Sequence, residues 1–305
     1  MKKVLISCFL LCTLSVLSQE RIDIFTMAGR YGLQSPYDPE LPKEAGERAA
    51  LLNLKVPVIL SDKTIWYSNF TYTFSMVENG MTFPDSMVNP IRLHGFIFQT
   101  GLVQKLGAKD AFQILFVPRY MSDLVEPTDA AWQLGAIVLY EHRFGPRLRL
   151  RLGAMYNEEK SGPLIVPLID VNWQISDRWS LTGLFPIYGK LNYKASKSLT
   201  LGLSHFGLIT SYELTNPNYA GDYMERTSID LTAFARVKLF GNWFAEGRFG
   251  YALGRNYEQY KEDDKIDWRV SIARFGDNRD QPRNYTFEDG LIGSFRIVYS
   301  LPLPN

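Results

Sequence analysis

The feature that most constrains this chain is a side-chain period of two that sets an unbroken apolar face against an arginine-rich one. From Arg147 to Tyr156, Leu148, Leu150, Leu152, Ala154 and Tyr156 share one face of an extended strand, and Arg147, Arg149 and Arg151 share the other. A buried sandwich strand could not hide three arginines, and a surface strand has no use for so clean an apolar face. Ile229, Leu231, Ala233, Ala235, Val237 and Leu239 repeat the pattern against Asp230, Thr232, Arg236 and Lys238. Phe112, Ile114, Phe116, Pro118 and Tyr120 oppose Gln113 and Arg119, and Trp243, Ala245, Gly247, Phe249, Tyr251 and Leu253 oppose Glu246 and Arg248. Faces of this length predict strands of about 9 to 11 residues, enough to cross a bilayer at a tilt.

Such strands need a route to a membrane. Lys2 and Lys3, the apolar run Val4–Leu17 and the small residue Ser18 before Gln19 have the shape of a secretory signal peptide over residues 1–18, leaving 19–305 as one domain. Acylation at Cys12 is the competing reading; Cys12 sits inside the apolar run without a small-residue approach. Both cysteines, Cys8 and Cys12, fall in this leader, so the mature chain is expected to carry no thiol chemistry. Beyond residue 18 no apolar stretch reaches the roughly 18 residues of a membrane helix. A secreted chain without a helix anchor is either soluble or a closed barrel, in which every backbone group is paired and no edge meets lipid. An aromatic content of 14% suits a protein with two membrane interfaces to line, and a net charge of +1 gives no reason to invoke nucleic acid.

Connections alternate in length. Short ones lie at Ser61-Asp62-Lys63, Gly107-Ala108-Lys109, Gly145-Pro146-Arg147, Ser176-Asp177-Arg178, Ala195-Ser196-Lys197 and Gly241-Asn242; longer polar ones are expected at 77–90, 122–130, 157–163, 212–224 and 257–286. Short turns on the periplasmic side and long loops outside is how an outer-membrane barrel is threaded. Parity then requires an ascending strand before the descending one at about 49–60, placed at Glu20 to Tyr31 with a Pro36, Pro39, Pro42 loop after it. Residues 178–195 lie between two short turns and must hold a hairpin, turning at Pro186 to Gly189. The expected fold is an all-β, antiparallel up-and-down transmembrane β-barrel of about 14 strands, with 12 as the alternative. Trp66, Trp173, Trp179 and Trp243, four of the six tryptophans, flank the short turns as a membrane-interface girdle would. Barrels of this kind usually end on an aromatic residue read by the insertion machinery, whereas this chain runs on through Tyr299-Ser300-Leu301-Pro302-Leu303-Pro304-Asn305.

Lys2-Lys3 and Ser18-Gln19, the stretch Gln174-Ile175-Ser176-Asp177-Arg178-Trp179-Ser180-Leu181, Gly183-Leu184-Phe185-Pro186 and Ser198-Leu199-Thr200-Leu201-Gly202-Leu203 together resemble an uncharacterised Bacteroidota outer-membrane barrel family described as a domain of unknown function. A weaker similarity is to the long-chain fatty-acid transporter barrels. The resemblance implies a Gram-negative outer-membrane location and this fold; it brings no activity.

Some such barrels are enzymes, so histidine beside serine or acid matters. Of the three histidines, His94 lies mid-strand, His142 near a short turn, and His205 follows Ser204; adjacent strand residues point to opposite faces, so Ser204 and His205 cannot bond. No catalytic residue is assigned and no enzyme activity is expected. No histidine–carboxylate cluster has metal-ligand spacing, so no metal or cofactor is assigned. The loop 257–286 interleaves Glu258, Glu262, Asp263, Asp264, Asp267, Asp277 and Asp280 with Lys261, Arg269, Arg274, Arg279 and Arg283, reading either as a calcium site or as a solvated loop balanced by its own cations.

The lumen is more informative. Arg119, Arg147, Arg149, Arg151, Arg236, Arg248 and Arg296, with Arg92 and Arg143, are expected inward, with Glu141, Asp170, Asp230 and Glu246 as partners. In a water-filled barrel this wall favours anions; in a plugged barrel it is a salt-bridged core. Leu115, Val117, Ile137 and Leu139 are also expected inward and argue for a closed lumen or a greasy passage. The leading expectation is a pore or transporter for small anionic or hydrophobic solutes. The alternatives are a structural or adhesive barrel with a packed lumen and binding outer loops, and a rim-sited lipid-modifying enzyme. The partners implied are the outer-membrane bilayer, the insertion machinery and a small-molecule solute.

Overall fold

The computed structural model describes residues 21–36, 44–285 and 287–302. The expected leader, Pro39 and Pro42, and the last three residues lie outside them. Fourteen antiparallel strands follow one another in chain order and close into a barrel. The first four are long: β1 (Arg21–Pro36), β2 (Glu44–Ile59), β3 (Thr64–Glu78) and β4 (Ile91–Lys105). Two are broken: β5 (Asp110–Phe116 with Arg119–Ser122) and β6 (Trp132–Gln133 with Gly135–Gly145). Then come β7 (Leu148–Glu159), β8 (Gly162–Gln174), β9 (Trp179–Phe185), β10 (Tyr188–Lys194) and β11 (Leu199–Glu213). β12 (Tyr223–Lys238), β13 (Trp243–Tyr260) and β14 (Gly290–Pro302) complete the wall. β14 pairs with β1 from Pro302 opposite Arg21 to Ile292 opposite Gly32, so residues as late as Pro302 belong to the closing ladder. Among the described residues no helix is long and apolar enough to cross a membrane, which says nothing of a barrel.

The alternation read from the sequence becomes an inversion of the usual inside-out rule. Leu152, Leu203, Phe249 and Phe295 are more than half exposed on the outer face, while Asp170, Ser204 and Glu246 are buried on the inner one. An apolar exterior around a closed ladder is the outer-membrane architecture, and lipid is what this wall meets. Trp66, Trp173 and Trp179 are each about 41–42% exposed beside short turns. Trp243 packs there between Phe25 and Tyr299. At the other end Trp132 packs edge-on to Tyr120, giving that rim its own aromatics.

The short turns form where expected, and 178–195 is a hairpin turning at Pro186 and Ile187. Three local expectations change. Residues 157–163 hold no long loop: β7 runs to Glu159 and β8 starts at Gly162. The first two strands start and end differently, at Arg21–Pro36 and Glu44–Ile59, because pairing across β1, β2 and β14 extends both beyond their apolar stretches. β5 is interrupted at Pro118, which has no N–H for the ladder but whose carbonyl accepts from the Phe98 N–H at 3.0 Å. The connection after it contains a short turn at Asp129–Ala131, capped by Thr128, whose hydroxyl accepts from the Ala130 N–H.

Close approach of strands depends on glycine at few points. A Cβ on lumen-facing Gly153 would lie 1.8 Å from the Val138 carbonyl oxygen, whereas outward Gly247 has nothing within 4 Å. Gly153→Val should therefore abolish the compact, heat-modifiable gel band of the folded barrel, and Gly247→Val should retain it. Equal behaviour of the two variants would contradict this register.

Candidate functional site

Ion pairs between strands that are not neighbours can form only through the barrel interior. Arg30 of β1 reaches Asp230 of β12 at 2.7 Å, Lys190 of β10 reaches Glu246 of β13 at 2.7 Å, and Arg226 of β12 reaches Glu47 of β2 at 3.1 Å. These side chains line the lumen.

Two levels differ in their access to water. Towards the short turns, Glu246 is surrounded by Lys190, Arg236, Arg248 and Arg296 at 2.6–3.9 Å. Arg236 also binds Asp23 through two hydrogen bonds, and Asp170 holds Arg151 at 2.9 Å and Arg149 at 3.6 Å. The cations here keep 12–24% side-chain exposure. Towards the long loops, Glu47 collects Arg30, Arg226 and Arg255 and accepts from the Tyr257 hydroxyl at 2.6 Å, with Glu47 and Arg255 both at 0%. Arg119 pairs with Glu159 at 2.9 Å and bonds Gln133 at 2.7 Å, equally dry. Water thus reaches the turn-end cations more freely than it reaches Glu47, Arg255 and Arg119.

The dry end is stoppered by an apolar cluster that includes Val77, Val88, Ile91, Leu93, Tyr212 and Phe287, drawn from strand ends and loops. Below it lies a second apolar cluster. Leu115 and Val117 of β5, Ile137 and Leu139 of β6, and Leu164, Val166 and Leu168 of β8 form one lumen-facing patch. Tyr67, Ile97 and Ile209 pack onto it from other parts of the wall. The lumen therefore has an apolar side and a cationic side.

The cationic side is unbalanced. Lys190, Arg236, Arg248 and Arg296 face Glu246 and Asp23, and Lys55 of β2 lies within electrostatic range of Asp23, Asp170, Arg151 and Arg296. No hydrogen bond or ion pair among the described residues holds the Lys55 ammonium. Lys55 is half-buried, and a cation without a fixed partner favours an anion arriving from solution.

The sequence candidates divide accordingly. Arg149, Arg151, Arg236, Arg248, Arg296 and Glu246 meet at the wet level, and Asp230 joins Arg30 between the levels. Glu141 pairs with Arg143 at 2.9 Å and lies 3.9 Å from Arg149. Arg147 is half exposed at the turn rim beside Asp177, and Arg119 belongs to the dry level. Arg92 stands on the outward face, because Ile91 and Leu93 take the inward positions of β4. Asp23, Glu47, Lys55 and Lys190 were missed; their odd or even position in each strand was the available signal.

Groups suited to chemistry are occupied elsewhere. Ser204 bonds Thr232 at 2.7 Å inside, while His205 contacts the Pro186 carbonyl at 3.1 Å. His94 meets the Tyr72 hydroxyl at 3.0 Å, and His142 meets Asp110 at 2.7 Å at the turn rim. Among the described residues no group of three His, Cys, Asp or Glu side chains could hold a metal ion. In the long loop, Arg279 donates to Asp277 at 2.9 Å, and these hydrogen bonds hold the Asp277 carboxyl at about 2.

Residues 64–265 match the family described as Domain of unknown function (DUF6268). No curated protein matches the sequence. Among solved structures, an outer membrane channel from Pseudomonas putida F1 is 12% identical, with 95% of this chain and 100% of that chain covered and a TM-score of 0.43. The translocator domain of the autotransporter NalP from Neisseria meningitidis is 12% identical over 90% and 86%, with a TM-score of 0.35. A FadL homologue from Pseudomonas aeruginosa is 12% identical over 91% and 76%, with a TM-score of 0.31. What this barrel does has to be read from its own residues.

Glu246→Gln leaves Lys190, Arg248 and Arg296 without the carboxylate they share and should destabilise the barrel by about 3–5 kcal/mol in urea unfolding; an unchanged midpoint would show that the cluster carries no such strain. The lowered Asp277 carboxyl contributes stability above the ordinary carboxylate range and loses it as pH falls through about 2. Cleavage of the loop by pepsin should accordingly stay slow at about pH 4 and accelerate only below it.

Proposed function

The chain belongs to the DUF6268 family, and we propose that this member is a gated outer-membrane transporter for small anionic solutes with apolar character. The observation that carries the reading is the unbalanced cationic cluster around Glu246 with Lys55 beside it, on the water-reached side of the lumen. An anion drawn from the turn end meets four positive side chains that share the carboxylates of Glu246 and Asp23, and the patch of Leu115, Ile137 and Val166 lies within the same lumen. A purely structural barrel gains nothing from excess positive charge, because each uncompensated buried cation costs desolvation energy. The apolar stopper makes passage conditional on its loosening, unlike a standing pore. The reading assigns the protein no catalysis: its histidines lie outside the cationic cluster, and Ser204 is engaged with Thr232.

Efflux of inorganic phosphate from vesicles carrying the refolded barrel tests this. Phe287→Ala in the stopper should raise the rate, and Lys55→Ala should lower it by about tenfold, the scale of one lost charge interaction of roughly 1.4 kcal/mol. A preference for potassium over phosphate, or efflux indifferent to Lys55, would remove the anion reading.

A further inference from the structure

The wall is short on one side. β9 and β10 have seven residues each, fewer than the about 9 to 11 that cross a bilayer. The β8 ladder to β9 covers only Ile169–Gln174, and the β11 ladder to β10 only Thr200–Phe206. Above that hairpin, residues 162–168 of β8 and 207–213 of β11 face each other with no wall strand of the fourteen between them. Lipid tolerates no open edge, so both edges must be satisfied in another way.

On β8 the sequence itself removes donors. Backbone groups of a strand point alternately to its two neighbours, and the Ile165 carbonyl points into the seam. Pro163 and Pro167 therefore face the seam too, and neither has an N–H to leave unpaired. The rest of that edge is taken by the long loop. Leu164 and Ile165 pair in parallel with Arg269 and Val270, and the Ser271 N–H donates to the Ile165 carbonyl at 2.9 Å. On β11, the Gly207 N–H donates to the Ile187 carbonyl at 2.7 Å and the Ser211 N–H to the Glu159 carboxylate at 2.8 Å, tying this edge to the lumen side.

A loop hairpin (Trp268–Val270 and Ala273–Phe275) thus stands in for missing wall. It is held by that brief ladder, by the Ile266 N–H donating to the Ser161 carbonyl at 2.9 Å, by Arg274 lying 3.6 Å from Glu258, and above all by one buried carboxylate: Glu225 accepts from Arg269 at 2.8 Å and Arg274 at 3.1 Å, with Arg279 at 3.5 Å. Its outer side is apolar, with Trp268 stacked on Phe275 at 4.2 Å and Ile272 76% exposed at the tip. Behind the seam lie Leu164, Val166, Leu168, Ile187 and Ile209, and Lys190 projects from the short hairpin beneath them into the cationic cluster.

We propose that this seam is a lateral portal: the hairpin leaves β8, and an amphiphile with one anionic head and an apolar tail passes between the membrane and the lumen. The tail follows Leu164, Val166 and Leu168, and the head meets Lys190 and the cations around Glu246. The proposal rests on the transporter reading above and adds the route and the shape of the solute. Apolar contact is continuous from the membrane inward, so the tail crosses without entering water.

The described residues contain no cysteine, so Ile165→Cys with Val270→Cys can lock the hairpin to β8 across one ladder pair. The full barrel in vesicles receives a diazirine-bearing dodecyl phosphate through the bilayer, and photolabelled residues are mapped by mass spectrometry. Reduced protein should be labelled at Val166, Leu168 and residues near Lys190, the locked form about tenfold less, with labelling restored by reductant. Glu225→Gln, which loosens the hairpin without new cysteines, should increase the same labelling. Equal lumen labelling in locked and reduced forms, or no effect of Glu225→Gln, overturns the portal. If phosphate efflux still depends on Lys55 in that case, the transporter reading survives; if it does not, both fall.

Discussion

Inside a bilayer no peptide group can take a hydrogen bond from water, and the rest of this structure depends on that constraint. It forces the fourteen strands to close, Pro302 of β14 against Arg21 of β1, and it favours an apolar face toward the outside of the wall. It also explains the exception. Where β9 and β10 fall short, β8 presents prolines to the gap and a loop hairpin supplies the partners that a longer strand pair would have supplied. The hairpin pairs with only Leu164 and Ile165 of β8, and the β11 edge bonds Ile187 and Glu159 instead, so the wall is weakest here.

Closing the wall encloses charge. Each inward-pointing arginine must find a counter-ion, since an isolated buried cation is far costlier than a paired one. At the dry end the solution is dense: Glu47 serves Arg30, Arg226 and Arg255, and apolar side chains from β3, β4, β11 and the loops fill the remaining space. At the wet end the pairing is looser and positive charge is in excess. The same barrel is therefore closely packed over part of its height and lined by excess positive charge over the rest, and the apolar patch of β5, β6 and β8 lies in the same lumen. Glu246 both holds this region together and occupies its cations.

Features local to one strand were legible in the sequence. The faces of β7, β12 and β13 follow from alternation alone, because neighbouring side chains in a strand diverge whatever the partner is. Parity of the short turns required the hairpin at 178–195, and it is there. Errors arose where a neighbour decides. The expected loop at 157–163 is tight because β7 and β8 pair to their ends, and Arg147 stays at the rim because the ladder starts one residue later. Arg30 and Asp230 are 200 positions apart, and Glu159 and Ser211 are 52 apart; nothing in either local sequence names the other. Pro163 and Pro167 were a visible sign of an edge strand, but reading them that way needs to know which strand is absent beside them.

By itself the sequence determined a transmembrane barrel of this size and the alternation of its strands. Both depend on side-chain periodicity and turn spacing, which are short-range. Tertiary structure alone decided that the loop end is stoppered, that four cations lie around Glu246, that Lys55 has no hydrogen-bond or ion-pair partner among the described residues, and that a loop hairpin held in part by Glu225 covers one side of the wall. Those outcomes depend on which distant strands meet across the lumen and how high each reaches, and both are set by closure of the ladder as a whole.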